Sequence, residues 1–440
     1  MRTRMGRRVL CLAVLLLLLL PLALSAQAKP VKLVMWWWGE SEAPGMEPWV
    51  KETIKQFEAK NPNIQVETVL QGVDNVVGDF TTASGAGNPP DLQYFWNGTN
   101  HMENVWRGYI EPLNNVLTAA ELKQMDATEL SIYQGKQYRA GWYVVPFAMM
   151  YNKKLFAKAG VANPPEFWKW DDFYAACQKI KKAGITPLGF GYKDGWSGEW
   201  YTSFYAVQQI NDLQEIAKLI SGESKWADPK NHEFWSRLER LMKAGFINDD
   251  ANSLEHYQGI QLFEQGKVAM TNTVGSLLTE AEGILGAGSV GVVKFPVFSD
   301  KKYSRKAVED IQGIGISSQS KHKKEAAEVI RFMHKPDRLV DMFAKSNVFP
   351  ADTTWNGEAQ IKDPNLKLLW KWFKEGPAPY ISNMLPWAFD EQVEFTAPQY
   401  FRAGTKSAAD VGKLADEVMV RWREENPQLF DGFKKWFNLK

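Results

Sequence analysis

An alternation of strand-like and helix-like segments runs through the first part of this chain and later begins again. Val31 to Trp38 is a near-continuous apolar run closed by Gly39, the pattern of a parallel strand buried on both faces. Val50, Ile54 and Phe57 then keep helical spacing until Asn61-Pro62, and Ile64, Val66 and Thr68 alternate as a second strand. A helix carrying Val73, Val76, Val77 and Phe80 ends in the Gly/Pro-rich stretch 85–90, after which Asp91 to Phe95 forms a third strand. Strands joined through helices pair in parallel, because each crossover returns the chain to the same end of the sheet. The alternation restarts with helices near 171–183 and 231–244, the strand-like Pro187 to Tyr192, and strands at Val268 to Thr271 and Val290 to Phe295. A second α/β unit of similar size is therefore expected. Beyond residue 320 the chain reads as mostly helical; its clearest helix has Ser407 and Asp410 as a capping box, with Val411, Leu414, Ala415, Val418, Met419 and Trp422 on one face.

The N-terminus carries the pattern of an export signal. Arg2, Arg4, Arg7 and Arg8 form a basic head, Leu10 to Leu24 an apolar run interrupted by Pro21, and Ala26-Gln27-Ala28 a small-x-small cleavage site. Residues 1–28 are expected to be removed, leaving Lys29 first and placing the product in the periplasm or outside the cell. Cys11 lies inside the apolar run, too early for a lipid-attachment site, so no anchor is expected. The remaining chain carries 48 Lys and Arg against 51 Asp and Glu, a charge of about −3. That balance speaks against nucleic acid or an anionic membrane as partner, since both require a basic surface. Only Cys177 remains, so disulfides within the chain are excluded and large apolar cores must supply the stability. The five His are scattered without a metal-ligand spacing, and neither a metal nor a cofactor is expected.

Nineteen Trp stand out, and many lie beside turns: Trp36-Trp37-Trp38-Gly39, Phe95-Trp96-Asn97-Gly98, Gly141-Trp142-Tyr143, Gly195-Trp196, Glu199-Trp200 and Pro386-Trp387. A sugar ring has an apolar C–H face and a rim of hydroxyls, so its receptor needs flat aromatic platforms beside amides and carboxylates. Helix-borne Trp235, Trp370, Trp372 and Trp422 read as core. Trp38, Trp96, Trp196 and Trp387 read as ligand contacts, since loops at the C-terminal ends of parallel strands are where α/β proteins bind. Trp200, Trp142 and Tyr143 join them as candidates. Glu40, Ser41 and Glu42 follow the first strand, and Asn97 and Asn100 the third, as candidate hydroxyl partners. Asp390, Glu391 and Glu394 share one predicted helix and read as a solvated face or a single sugar contact. There is no Gly-x-Ser-x-Gly elbow, no Gly-x4-Gly-Lys phosphate loop and no Cys-His pairing, so an enzyme is not expected. A secreted glycoside hydrolase and a receptor for a non-sugar solute are the alternatives. An anionic solute would call for Arg and Lys in these loops, which hold almost none.

Five segments, in order, resemble the extracellular carbohydrate-binding proteins of ATP-binding-cassette importers, the maltose-binding-like family. They are Lys32-Leu33-Val34-Met35-Trp36 with Asn61-Pro62 and Ile64-Gln65-Val66; Pro90-Asp91-Leu92; Gly135-Lys136-Gln137-Tyr138 followed by Tyr151-Asn152-Lys153-Lys154-Leu155-Phe156; Phe263 to Met270; and Ser320-Lys321 through Ala327 with Phe349-Pro350-Ala351. The chain departs from the family at Gly141, where Pro is usual, and at Gly275-Ser276-Leu277, where an aromatic is usual. The family's Gly-Gly pair survives only within Gln312-Gly313-Ile314-Gly315, so Gly313 is carried over as a site position. The resemblance implies a two-lobe periplasmic-binding fold, with residues 29–144 and 314–350 in one lobe and 147–296 and 351–440 in the other. Hinge segments are expected near 143–146, 297–313 and 350. It further implies a monomer that captures a mono- or oligosaccharide between its lobes and hands it to permease subunits, with Trp387 stacking on a sugar ring from the C-terminal lobe.

Overall fold

The computed structural model describes residues 29–125 and 128–439; the export-signal segment lies outside the described residues. The first strand, β1 (Val31–Trp37), pairs in parallel with β2 (Ile64–Leu70) and β3 (Leu92–Phe95). The helices α1 (Met46–Lys60) and α2 (Val76–Gly85) make the crossovers, and α3 (Thr99–Trp106) leaves β3. Asn61 ends α1, its side chain donating back to the Phe57 carbonyl. Trp37 is buried, while Trp36, pointing to the other face, is half-buried.

The second unit contains α4 (Trp170–Lys182), β5 (Thr186–Leu188), α5 (Trp196–Ala206), α6 (Glu233–Lys243), α7 (His256–Glu264), β6 (Val268–Val274) and β7 (Val290–Val293). The expected strand at Pro187 to Tyr192 stops at Leu188, because the following backbone turns to bond Asn248 and Ala251 rather than a strand. Two long strands join the units. The 13 residues of β4 (Ala140–Asn152) are all buried. Its first half pairs with β8 (Val308–Ile316), from Ala140↔Ile314 to Phe147↔Val308. Its second half pairs with β6 and β7. Beyond β4, β8 pairs antiparallel with β3, giving the order β2-β1-β3-β8-β4-β6-β5. The architecture is thus a two-lobe α/β fold in which extended chain, not a compact linker, carries the sheet from one lobe to the other.

The C-terminal segment is helical. Its longest helix, α8 (Ala408–Glu425), starts at the Ser407–Asp410 capping box, and Trp422 on its inner face is buried. The helix-borne Trp235, Trp370 and Trp372 are buried too. So is Cys177, with burial pushing its thiol well up.

Candidate functional site

Where β4 and β8 cross between the lobes, a cavity of about 350 Å³ opens. One wall comes from the ends of the first unit's strands. Trp38, one residue past β1, is buried with its ring edge-on to Tyr94 and tilted against Trp96, at 5.9 and 5.4 Å between centroids. Glu40, Ser41 and Glu42 continue this wall, and residues 70–74 after β2 complete it. The opposite wall is built from the second unit: Asp194, Trp196, Glu199 and Trp200 around the start of α5, and His256 and Tyr257 at the start of α7. Asp310 and Gln312 enter from β8, Phe147 from β4, and Tyr380 from the C-terminal segment. No Lys or Arg lines the cavity among the described residues.

The local chain explains these placements. Gly195 (φ 87°) lets the backbone turn sharply into α5, and a Cβ there would sit 2.3 Å from the Phe395 ring, so only glycine brings Trp196 to this spot. Every residue from Ser197 to Ala206 is buried, polar ones included. Trp196 spans the cleft, stacked at 6.2 Å on Trp96 and in contact with Trp387 and Phe395 behind it. Trp200 meets the His256 ring edge-on at 4.2 Å. His256 accepts or shares a proton with Ser197 Oγ through Nδ1 at 2.7 Å, and its backbone N–H donates to Asp194. Burial lowers its pKa to about 3, so the ring is neutral.

The carboxyl groups at the base are shielded from water. Burial raises Glu42 to about 8, with the nearby Asp310 charge adding to the shift and a 3.2 Å hydrogen bond from Tyr143 Oη opposing it. Behind the far wall, Tyr380 Oη donates to Glu199 at 3.1 Å and Ser382 Oγ donates to Glu394 at 2.9 Å. Burial, reinforced by Glu394, holds Glu199 well above the carboxylate range, and burial brings Glu394 to about 8. Asp310 is raised by burial; Arg139, buried behind β3 and β8, opposes that shift, and Asn383 donates to the carboxylate at 2.8 Å. Raised to about 8, Glu42 carries at neutral pH a proton that it can donate while its carbonyl oxygen accepts, and burial pushes Glu199 in the same direction.

Of the expected site residues, Trp38, Glu40, Ser41, Glu42, Trp96, Trp196 and Trp200 come together on this cavity. Glu40 does so with its carboxylate already engaged: it accepts from the N–H groups of Gly45 and Glu47 and caps α1. The others do not line it. Asn97 is spent on its own loop, donating to Thr128 Oγ1 and accepting from Gly98 N and Ser131 Oγ. Trp142 is core, packed between Trp37 and Trp49, and Tyr143 acts one layer back through Glu42. Gly313 faces backbone, where a Cβ would meet the Ala140 carbonyl at 2.5 Å. Asn100 and Trp387 line a neighbouring chamber. The acidic trio is not a solvated face: Asp390 and Glu394, one turn apart, point inward and are buried, and only Glu391 is exposed. Asp194, Glu199, His256, Tyr257, Asp310, Gln312 and Tyr380 were not anticipated. For Glu199 the one signal is the density of polar residues in the otherwise aromatic start of α5; the other six have none.

The model of the bacterial extracellular solute-binding proteins matches residues 39–337, which span both walls of this cavity. The chain belongs to that family. Among relatives, a binding protein of Brucella abortus (strain 2308) is 29% identical over 66% of this chain and 69% of its own length. The melibiose/raffinose/stachyose-binding protein MelE of Bacillus subtilis (strain 168) is 26% identical over 69% and 70%. Among solved structures, a chitin oligosaccharide binding protein superposes with a TM-score of 0.76 over 90% of this chain and 99% of that one, at 21% identity, which bears on the fold. The chain is therefore an extracellular solute-binding protein of an ATP-binding-cassette transporter, and the cavity between its lobes is the candidate solute site.

Proposed function

We propose that this solute-binding protein captures a carbohydrate between its lobes and delivers it to the permease subunits of an importer. The observation that carries the reading is the chemistry of the cavity: four indoles beside carboxyl groups, a glutamine amide and two tyrosines, with no Lys or Arg among the described lining residues. Indoles match the C–H faces of sugar rings, and groups that both donate and accept match their hydroxyls. Trp38, Trp96, Trp196 and Trp200 serve as platforms; Glu42, Glu199 and Gln312 serve as hydroxyl partners. A lobe boundary at 144/147 fits the point, at Phe147, at which β4 changes partners from β8 to β6. Closure about those strands is the motion that would trap the sugar.

Passive binding is the better reading of the carboxyls. A glycosidase pairs a protonated acid with an ionised nucleophile or base across the bond, whereas Glu42 and Glu199 are both driven toward the protonated form. Titration of a saccharide panel, followed by tryptophan fluorescence and X-ray scattering, tests the proposal. Saturable binding with a fall in radius of gyration, and recovery of the sugar intact, is expected. Cleaved product, or no response to any saccharide, would defeat it.

A further inference from the structure

Past the indole of Trp96 the cleft continues. A second chamber of about 320 Å³ shares Val73, Asp74 and Trp96 with the first, so one aromatic ring forms a wall of both. The facing sides of α2 and α3 make up most of it, and Trp387 reaches it from the C-terminal segment. Trp38, Trp96, Trp196 and Trp387 follow one another at 5.4, 6.2 and 6.2 Å between centroids, a continuous aromatic path from the first chamber into the second.

The second chamber also carries an unmet polar group. Asn100 is only 7% exposed; its side chain hydrogen-bonds Asp390, yet its Oδ1 has no partner. Arg107, the one cationic side chain lining the chamber among the described residues, pairs with Glu103 at 3.2 Å, so nothing here asks for an anionic ligand.

We infer that the second chamber is a further sugar subsite and that the solute is an oligosaccharide of at least two rings, its chain passing the face of Trp96. The inference rests on the carbohydrate reading and adds length to it. The first chamber alone lies near the lower limit of ligand pockets, roughly 300–1,000 Å³, and the second nearly doubles it. Two chambers of similar size divided by one aromatic ring suit a ligand that repeats.

Gly78 supplies the test. It lies within α2 on the wall of the second chamber, and no heavy atom stands within 4 Å of where its Cβ would be. Gly78→Phe therefore has open space at its Cβ from which to narrow the chamber, and replacing a glycine in the first turn of α2 does not disfavour the helix. Calorimetric titration with gluco-, xylo-, galacto- and chito-saccharides of one to four rings reads the outcome. In the preferred series the wild-type protein should bind the longer sugars at least about tenfold tighter than the monosaccharide; Gly78→Phe should abolish that gain and leave the monosaccharide within about twofold. Trp387→Ala should act in the same direction, with unchanged ligand-free melting separating subsite loss from misfolding. A monosaccharide bound as tightly as its oligomers, or a length preference that survives the plug, would overturn this inference alone. Silence across all four series would overturn the carbohydrate reading, and this inference with it.

Discussion

On the wall built from β1 and β3, each ligand-facing group lies within five residues of a strand end, and the backbone that carries it is fixed by the sheet. The opposite wall is assembled from helix starts at Trp196 and His256 and from Tyr380, far apart in sequence, and a layer of buried acids and hydroxyls holds it in place. The first wall gets its shape from main-chain pairing and the second from side-chain pairing. Main-chain pairing tolerates substitution of the side chains it displays. A side-chain network makes position and protonation state one property, so the second wall should respond to pH, and on the first wall only Glu42, buried beside Asp310, should do the same.

Arg139 offers the hardest test of the first wall. Its guanidinium donates to the carbonyls of Phe95 at 3.0 Å and Ile311 at 2.5 Å, tying β3 to β8, and its charge steadies Asp310. Arg139→Met would leave a buried carboxyl without its counter-charge and should cost about 3–5 kcal/mol in denaturant unfolding. A loss under about 1 kcal/mol would mean that the sheet alone holds this wall.

A pH series tests the second. Glu394 goes from an ordinary value of 4.5 to about 8 in the folded chain, and Glu42 on the near side behaves alike. The unfolded chain then binds fewer protons than the folded one between those values. Stability is complete below about pH 4.5 with respect to these groups and declines as pH rises through 8, on the order of a few kcal/mol for each. Glu394→Gln and Glu42→Gln should each flatten the fall in melting temperature between pH 5 and 8. A fall just as steep in both variants would place the titrating groups elsewhere.

The walls also differ in how far the sequence disclosed them. Trp38 and Trp96 could be found because an apolar run ending in Gly, or a strand followed by Asn-Gly, marks the place where a buried strand meets the surface. The alternation that identified β1, β2 and β3 located those ends to within a residue or so. Glu199, His256 and Tyr380 had no such marker. Their role depends on three helical or extended segments meeting in space, and helical periodicity says which face a residue occupies without saying what it faces. Asp390 and Glu394 illustrate this: their four-residue spacing does place them on one face, but acids on one face ordinarily mean solvent, and only the presence of Glu199 and Ser382 opposite turns that face inward. Asn97 and Trp142 show the converse, with the right residue types beside turns but nearer partners within the lobe.

Trp196 is where the walls touch, and its truncation measures what the contact is worth. Trp196→Ala removes the ring that stacks on Trp96 and leans on Phe395. Loss of that platform should weaken saccharide binding by about 1.5–3 kcal/mol, roughly ten- to a hundredfold in Kd. Because the ring is only half-buried, the ligand-free melt should shift little. Wild-type affinity in this variant would show that the far wall acts through its polar groups alone.

The smallest effect should come from Glu40, and it distinguishes a wall held by backbone from one that merely displays side chains. Its sequence position directly after β1 suggests a sugar contact, but both carboxylate oxygens are engaged, Oε1 by Gly45 N–H at 2.9 Å and Oε2 by Glu47 N–H at 2.5 Å. These are two of the N–H groups that the first turn of α1 cannot satisfy internally, and a carboxylate there also meets the positive end of the helix dipole. Gly45 itself (φ 100°) is packed against the Lys345 carbonyl and has no side chain with which to cap. Glu40→Ala should therefore cost about 0.5–2 kcal/mol of stability, the range for losing a cap, while saccharide affinity stays within about threefold of wild type. Glu40→Gln, which retains one acceptor oxygen and loses the charge, should fall between the two in stability. If Glu40→Ala instead abolished binding while the melt held, the carboxylate would have to leave the helix and turn to the ligand on closure, and the near wall would prove as dependent on its side chains as the far one.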